Sequence, residues 1–395
     1  MKSSSKPFLK PKIFAGAALV ALLSAGLVWT NRAAAQTAAP KISPNGKTAG
    51  EYFKNVTTAS LKGLTPSDFI GAMGVMTAAV GYDCSNCHPG AGTDTQDWVT
   101  DRNPKKVIAR KMVDMVAAIN KNFFGGTQQV TCWTCHHGLD LPTTSIALDK
   151  LYGEPNEEKR DIVLAQDGEP PASRIFDEYI QAIGGAQKVN AMKTYIATGT
   201  SRGYGGVGGT AAFEVYGEVP NSRGVWIHFP EHPDRGISAW TYNGKTGWIS
   251  QPRAYIPIYE LTGNDLIGAK LDGEIGMPSE LRNAFNTWRV GPEETINDKD
   301  VYVVQGTAPG GGVLGTLYFD KQSHLLVRFV RRTPSPVGRI TIQQDYDDYK
   351  EVNGIKFPFK YSFLWLDGRF TAEISDVKVN VPIDAAKFGE PPAAK

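Results

Sequence analysis

The chain of 395 residues has no excess of charge of either sign and no signature of a common catalytic site. Its 42 Lys and Arg residues nearly balance its 40 Asp and Glu residues, and the formal net charge is +2. This balance gives no electrostatic reason to expect nucleic acid or a strongly anionic partner. The sequence also contains no nucleophile elbow, phosphate-binding loop or metal triad. We therefore predict no catalytic residue and do not expect nucleic acid as a partner.

Cysteine is scarce, with four residues, but all four stand in two copies of one motif. The copies consist of Cys84, Cys87 and His88, and of Cys132, Cys135 and His136. C-x-x-C-H is the attachment signature of c-type haem, in which both thiols bond to the porphyrin and the histidine binds the iron. The motifs therefore predict two covalently bound haem c groups with iron.

Three other uses of these cysteines fit less well. A zinc ribbon has its cysteine pairs about 15–20 residues apart, whereas Cys132 follows Cys87 by 45 residues. A redox dithiol stands near a βαβ pattern, whereas the flanks of both motifs predict helices. Two local disulfides would leave the histidine after each motif without a role.

A low-spin haem needs a second axial ligand, which is usually methionine or histidine. His88 is the only histidine between Gln36 and His136, so methionine is expected. Each motif follows a predicted helix that carries M-x-x-M. The pairs are Met73 and Met76, between Thr65-Pro66 and Gly81, and Met112 and Met115, between Asn103-Pro104 and Gly125-Gly126. The residues alone do not choose within either pair.

The second of these helices is expected to bury one apolar face. Its members recur at helical spacing and are Ile108, Met112, Met115, Ile119 and Phe123. Arg110 and Lys111 lie on the same helix and fit two interpretations equally, a place near haem propionates or a solvated basic surface.

Residues 69–138 resemble the tetrahaem cytochrome subunit of purple-bacterial photosynthetic reaction centres. The matching stretches are Ala72–Met73, Gly81–His88, Val107–Met112, Ile119–Asn120 and Val130–Gly138. The resemblance implies that the first methionine of each helix, Met73 or Met112, is the iron ligand, and that Met76 and Met115 are core neighbours. That family has four haems, whereas this chain has motifs for two and lacks the family's histidine within residues 121–131. His137 stands where the family usually has arginine and is expected at the surface.

Residues 1–35 predict an export signal. Lysines precede an apolar run at residues 13–29, and Ala33–Ala35 forms a plausible cleavage site before Gln36. The mature protein is therefore expected to be periplasmic or otherwise exported. The run of 17 residues is at the lower limit for a membrane span, so the protein would be membrane-associated if this segment were retained.

The fold class expected is α+β, with a mostly helical dihaem module followed by an antiparallel, β-rich, curled half-barrel. The expected parts are an extension at 36–62, the dihaem domain at 63–145, a linker at 146–172 and the β-rich domain at 173–390. Short strands with hairpin signals such as Asn353-Gly354 fill the last part, apart from a helical interruption near 264–286.

Three stretches of the β-rich part look like the half-barrel periplasmic lipoprotein-carrier family. They are Tyr242–Trp248, Tyr318–Arg328 and Tyr346–Pro358. Because that family binds acyl chains on its concave face, the resemblance implies a lipid, a quinone or an apolar partner segment as a ligand here. A docking domain with a filled core is the alternative.

The expected function is transfer of single electrons between periplasmic or membrane redox proteins, without enzyme activity. One alternative is a haem peroxidase or other oxidoreductase, which requires one iron to lose its methionine. A second is a lipid- or lipoprotein-binding module whose haems sense redox state. A third is a true reaction-centre subunit, which the two missing haem motifs disfavour.

Overall fold

Helices form the first part of the described chain and strands the second. The computed structural model describes residues 46–93, 95–145, 148–151, 153, 161–204, 209–232, 236–252, 254–310 and 312–392, so the predicted export signal lies outside the described residues. The helices are α1 (Ala49–Tyr52), α2 (Ala59–Lys62), α3 (Pro66–Val80), α4 (Pro104–Phe123), α5 (Cys132–His136), α6 (Leu148–Leu151), α7 (Ala172–Ala182), α8 (Ala186–Ala191) and α9 (Gly263–Gly276). Single 3₁₀ turns lie at Cys84–Asn86, Pro278–Asn283 and Ala385–Lys387.

The strands run from residue 194 to residue 379. They are β1 (Thr194–Arg202), β2 (Thr210–Glu218), β3 (Ser222–His228), β4 (Ile237–Tyr242), β5 (Gly247–Ser250), β6 (Ile258–Glu260), β7 (Thr287–Val290), β8 (Glu294–Ile296), β9 (Lys299–Thr307), β10 (Leu314–Asp320), β11 (Leu326–Ser335), β12 (Gly338–Val352), β13 (Ile355–Trp365) and β14 (Gly368–Val379).

The two long helices of the first part begin at the predicted capping residues. The Thr65 side chain accepts a hydrogen bond from the Asp68 N–H at 3.0 Å, with Pro66 in the first helical position of α3. The Asn103 side chain accepts one from the Lys105 N–H at 3.1 Å, with Pro104 opening α4. Gly81 ends α3 in a left-handed conformation, with φ of 68°. Both predicted helices are therefore confirmed.

All strands belong to one antiparallel sheet of 14 strands within the described residues. Its order is β6-β5-β4-β3-β2-β1-β14-β13-β12-β11-β10-β9-β7, with β8 paired to β9. Sequential neighbours pair from β1 to β6 and from β8 to β14, whereas β7 pairs with β9 and β1 pairs with β14, the last strand. This pairing joins the strands before α9 to those after it in a single sheet.

The sheet curls around α9. This helix contacts β3 and β4 on one side and β11 on the other. Six strand intervals separate β3 from β11 in the sheet order, which is about 29 Å in a flat sheet. A helix of about 10 Å diameter can contact both only if the sheet is curved. The expected curled antiparallel domain is thus present, and α9 occupies its concave side.

Buried apolar side chains cover both faces of the sheet around β10. Every residue of β10 is buried. One face packs with α7 and α9, through Ile175 and Leu271, and the other packs with Ile296 and Val163. Gln305 is buried here, and its amide donates to the Asp161 carbonyl at 2.9 Å and accepts from the Val163 N–H at 3.1 Å. The end of the predicted linker therefore lies against the sheet.

The predicted strands and the predicted helical interruption are present, but three short strands were missed. These are β6, β7 and β8, with three or four residues each, which is too short for alternation to be visible.

Residues 43–395 form one compact unit, in which α3 contacts β11 and β12. Among the helices of the described residues, none has the length and hydropathy needed to cross a membrane.

Candidate functional site

The second C-x-x-C-H motif is itself a short helix. It forms α5, and the Thr131 side chain before it accepts a hydrogen bond from the Thr134 N–H at 3.3 Å. The Thr134 hydroxyl in turn accepts a hydrogen bond from the Thr131 N–H at 3.0 Å. Residues three and four apart share one side of a helical turn. Cys135 and His136 therefore lie on the side of α5 that carries Cys132.

The first motif makes a similar turn. The Asp83 carboxylate accepts from the Ser85 N–H at 2.8 Å, and the Asn86 side chain accepts from the Asp83 N–H at 2.8 Å. The His88 N–H donates to the Cys84 carbonyl at 2.8 Å, which closes one α-helical turn across the motif. In both motifs the second residue between the cysteines completes a capping box. The middle residues of the motifs thus stabilise the turns that present the cysteines.

His88 and His136 each have a ring nitrogen available for a metal, but the surroundings of the two rings differ. His136 Nδ1 lies 2.8 Å from the Leu139 carbonyl oxygen. A proton on Nδ1 would donate to this oxygen and leave the lone pair of Nε2 for an iron, as histidine ligands do in metalloproteins. His88 Nδ1 is buried without a hydrogen-bond partner, although the Asp97 and Trp98 carbonyls lie near the ring. Burial, with the charge of Lys106, lowers the pKa of His88 and favours the neutral imidazole that binds metals.

The four cysteines are free thiols and form no disulfide. Burial raises the pKa of Cys84 and Cys87, and raises that of Cys132 to about 11. Redox-active C-x-x-C pairs have a thiol with a lowered pKa, so the direction of these shifts disfavours a redox dithiol. Within the part of the chain that the structure describes, no three His, Cys, Asp or Glu side chains converge as ligands of a metal ion.

The methionines differ in their surroundings. Met76 packs against a buried cluster that includes Ala72, Val75 and Val113, as expected for a core neighbour. Met73 and Met112 are partly buried. Met115 is 42% exposed, which differs from the core position expected for it. It lies on the side of α4 that faces away from the packed helices.

The buried face of α4 is not the predicted one. Ile108 is 55% exposed and Phe123 is 77% exposed, whereas Val113, Val116 and Asn120 are buried. Each of these buried residues follows a predicted apolar position by one residue, which is a rotation of about 100° around the helix. Ile108, Met115 and Phe123 of the predicted face are therefore exposed, while Met112 is partly buried. An apolar planar group such as a porphyrin would fit against this face, because large apolar side chains stay exposed where a further partner covers them.

Asn120 fixes the segment before the second motif and was not identified from the sequence. Its side-chain amide donates to the Val130 carbonyl at 2.7 Å and accepts from the Gln129 and Val130 N–H groups at 2.9 Å each. Its spacing of four residues from Val116 and seven from Val113 could have placed it on one face with them.

Lys106 has a comparable role at the first motif. This largely buried lysine donates from Nζ to the Thr100 carbonyl at 2.7 Å and to the Trp98 carbonyl at 3.1 Å. The Trp98 ring lies 5.0 Å from the His88 ring.

The other basic residues near the motifs differ in their contacts. Arg110 forms two hydrogen bonds to the Asp101 carboxylate, at 2.7 and 3.0 Å. Lys111 and His137 are exposed. Lys106 and Arg110 thereby hold the loop that packs on His88.

Known proteins with related sequences support a cytochrome c module. Residues 18–173 match the model of the photosynthetic reaction centre cytochrome C subunit family. The photosynthetic reaction center cytochrome c subunit of Thermochromatium tepidum is 32% identical over 108 residues, which cover 26% of this chain and 25% of the relative. The subunit of Roseobacter denitrificans is 34% identical over 115 residues, which cover 27% and 30%. This chain thus spans less than a third of either relative.

Two solved structures resemble part of this chain, and neither is described as a cytochrome. A DUF1329 family protein from Desulfovibrio piger has a TM-score of 0.38 and 12% identity, with 56% of this chain and 98% of that chain covered. A LolA superfamily protein from Nitrosomonas europaea has a TM-score of 0.38 and 14% identity, with 56% and 99% covered. The resemblance of residues 69–138 to the reaction-centre cytochrome family is confirmed by the family model.

Proposed function

We propose that the chain is an exported c-type cytochrome that carries two covalently bound haems and passes single electrons between redox partners outside the cytoplasm. The observation that supports this most is that both C-x-x-C-H motifs form capped helical turns. Each turn presents two free thiols and a histidine on a short stretch of backbone. The match of residues 18–173 to the reaction-centre cytochrome family supports the same function.

The proposed attachment uses the side chains of each motif. Cys84 and Cys87 hold one haem and Cys132 and Cys135 the other, with His88 and His136 as the proximal iron ligands. Met73 and Met112 would each supply a second ligand, to the haems of the first and second motif respectively. A c-type haem supplies one-electron chemistry at its iron, and methionine–histidine ligation gives a raised potential.

The surrounding residues orient the proposed histidine ligands. The Leu139 carbonyl fixes the ring of His136, and Trp98 packs beside the ring of His88. If a histidine and a methionine both bound each iron, no coordination position would be left for peroxide. We therefore propose electron transfer rather than peroxidase activity.

Absorption spectra of the exported protein in the oxidised and reduced states, with haem counted per chain as the pyridine haemochrome, test the proposal. We expect two covalently bound low-spin haems and a weak near-infrared methionine–iron band. Cys84→Ala/Cys87→Ala and Cys132→Ala/Cys135→Ala double variants should each retain one haem. A wild-type chain with fewer than two haems, or with a clear high-spin fraction, would contradict it.

An apolar ligand in the curl of the sheet has less support. Leu271 and Ile275 of α9 are buried against the strands, and Arg223 lies inside with its guanidinium 3.2 Å from the Tyr195 hydroxyl. Two cavities of the described residues measure about 300 and 250 Å³, and both have charged groups in their lining, such as Asp345 and Lys47. We propose that this domain supports the haem module and docks its partners. Co-purification of lipid or quinone, detected by solvent extraction and mass spectrometry, would contradict this assignment.

A further inference from the structure

The turn between β11 and β12 inserts into the helical module. Pro336 and Val337 form the tip of this hairpin, and Ser335 pairs with Gly338 at its base. Val337 is completely buried in a cluster that also contains Val75 of α3, Val113 of α4 and Cys132 of α5. One valine of the β-rich domain therefore belongs to the core that α3, α4 and α5 share.

Hydrogen bonds join the same hairpin to the second motif. The N–H of Cys132 donates to the Val337 carbonyl at 3.1 Å. The first amides of a helix have no partner within the helix, so this bond satisfies a group that α5 cannot satisfy itself. The side-chain amide of Gln128, four residues before Cys132, donates to the Ser335 carbonyl at 2.8 Å. Two bonds therefore hold the start of the second haem-binding turn on the hairpin.

Close packing fixes the position of α3 against the same hairpin. A Cβ added at Gly338 would lie 2.8 Å from Val75 Cγ1, and a Cβ added at Gly71 would collide with the Ile340 side chain. Gly138 N–H, directly after the second motif, donates to the Ala79 carbonyl of α3 at 2.8 Å. The hairpin tip, α3 and α5 thus form one continuous set of contacts.

We propose that the β11–β12 tip is a positioning element for the second haem-binding turn, and that Val337 thereby sets the redox potential of the haem held there. The inference rests on the proposed function. Val337 acts through Cys132 and the helices beside it, and it excludes water from the base of the turn. Water near a haem stabilises the more highly charged oxidised iron, so loss of this packing lowers the potential. The first motif has no corresponding contact with the tip among the described residues.

The test uses Val337→Ala in two backgrounds of the full chain, each with a single haem. The Cys84→Ala/Cys87→Ala background retains the second haem, and the Cys132→Ala/Cys135→Ala background retains the first. We expect the oxidised-to-reduced ratio of the second haem, at a fixed ambient potential, to rise several-fold, while that of the first haem is unchanged. The matched control is Val313→Ala, because Val313 is equally buried but belongs to the cluster around α7 and α9.

The outcomes separate this inference from the proposed function. A haem count of zero at the second motif of the wild-type chain overturns both. Two haems with a Val337→Ala potential equal to that of the wild type, or shifted equally by Val313→Ala, overturn the positioning role alone. If Val337→Ala does not fold, Gln128→Ala provides the same readout, because it removes only the hydrogen bond to Ser335. An unchanged potential of the second haem in that variant also counts against the proposal.

Discussion

The helices α3 and α4 each carry two methionines three residues apart, and only one of each pair is a proposed iron ligand. Met76 packs against the buried cluster of α3, and Met115 is exposed on α4. Leucine fills a similar volume but has no sulfur to bind iron. Met73→Leu and Met112→Leu should each remove about half of the near-infrared methionine–iron band and create one high-spin haem. Met76→Leu and Met115→Leu are the matched controls, and loss of the band in either control would reverse that assignment.

A second residue-scale prediction concerns Asp68, which lies in the first turn of α3 and contacts its capping residue, Thr65. Its Oδ2 accepts from the Thr65 hydroxyl at 2.9 Å, whereas Oδ1 is buried without a hydrogen-bond partner. The Ser67 hydroxyl donates to Asp265, whose negative charge lies near Asp68. Burial, followed by this charge, raises the pKa of Asp68 to about 6. Burial also raises the pKa of Asp265, which Arg331 partly offsets.

The sign of the pH effect follows from the raised pKa. The folded chain holds a proton on Asp68 more tightly than the unfolded chain, whose aspartates have a pKa near 3.9. Ionised Asp68 therefore costs stability above about pH 6, and this cost disappears towards pH 4. We expect Asp68→Asn to raise the Tm by about 1–3 °C at pH 8 and to leave it unchanged near pH 4. Asp384→Asn is the control with an exposed capping residue, and an equal gain for Asp68→Asn at both pH values would contradict the assignment.

The capping role of Asp68 could be predicted from the sequence, but its raised pKa could not. Thr65 and Asp68 are three residues apart, and local spacing is enough to identify the cap. Asp265 lies 197 residues further along the chain, and only the packing of α3 near α9 brings the two carboxyl groups together. Val337 was missed for the same reason, because no local pattern marks a hairpin tip that enters another part of the molecule.

At the scale of elements, helix bounds could be predicted more easily than the face that a helix buries. The caps at Thr65 and Asn103 act within one turn, and both helices begin there. The predicted apolar residues of α4 do lie on one side of the helix. The residues that contact the rest of the module, however, each follow a predicted residue by one position in the chain. A stripe that binds a cofactor has the same periodicity as one that packs against protein, so the sequence could not separate the two.

Asn120 gives the prediction for α4. Its buried amide makes three hydrogen bonds, two of them to the N–H groups of Gln129 and Val130. Asn120→Ala removes all three of these partly buried hydrogen bonds, and we expect it to lower the free energy of unfolding by about 2–4 kcal/mol. Denaturant unfolding followed by tryptophan fluorescence measures the loss. Asn122→Ala, at an exposed position two residues later on α4, should change stability by less than about 0.5 kcal/mol.

At the scale of the whole molecule, strand content was predictable and strand order was not. Alternation and hairpin turns identify β12 and β13, whose connection at Asn353-Gly354 has positive φ at both residues. The pairing of β1 with β14 joins Tyr195 to Val379 across 184 residues. Such a contact leaves no local signal, because register depends on which apolar faces meet in the folded sheet.

The packing of the hairpin tip also predicts how the molecule unfolds. The helical cluster includes Val337 and contacts Ile340 and Leu366, so residues from the sheet complete the core of the haem module. Removal of the sheet would expose that core. We therefore expect the haem Soret band and the far-UV circular dichroism of the sheet to change at one denaturant midpoint, as probes of a single cooperative unit do.

Val337→Ala should lower this common midpoint if the two parts depend on each other through the tip. The control Val313→Ala, in the cluster around α7 and α9, should lower it without separating the two probes. Two midpoints in the wild-type chain, with the Soret band lost first, would mean that the helical module folds independently of the sheet. In that case the hairpin would be a surface contact, and the C-terminal domain would have no part in holding the second haem-binding turn.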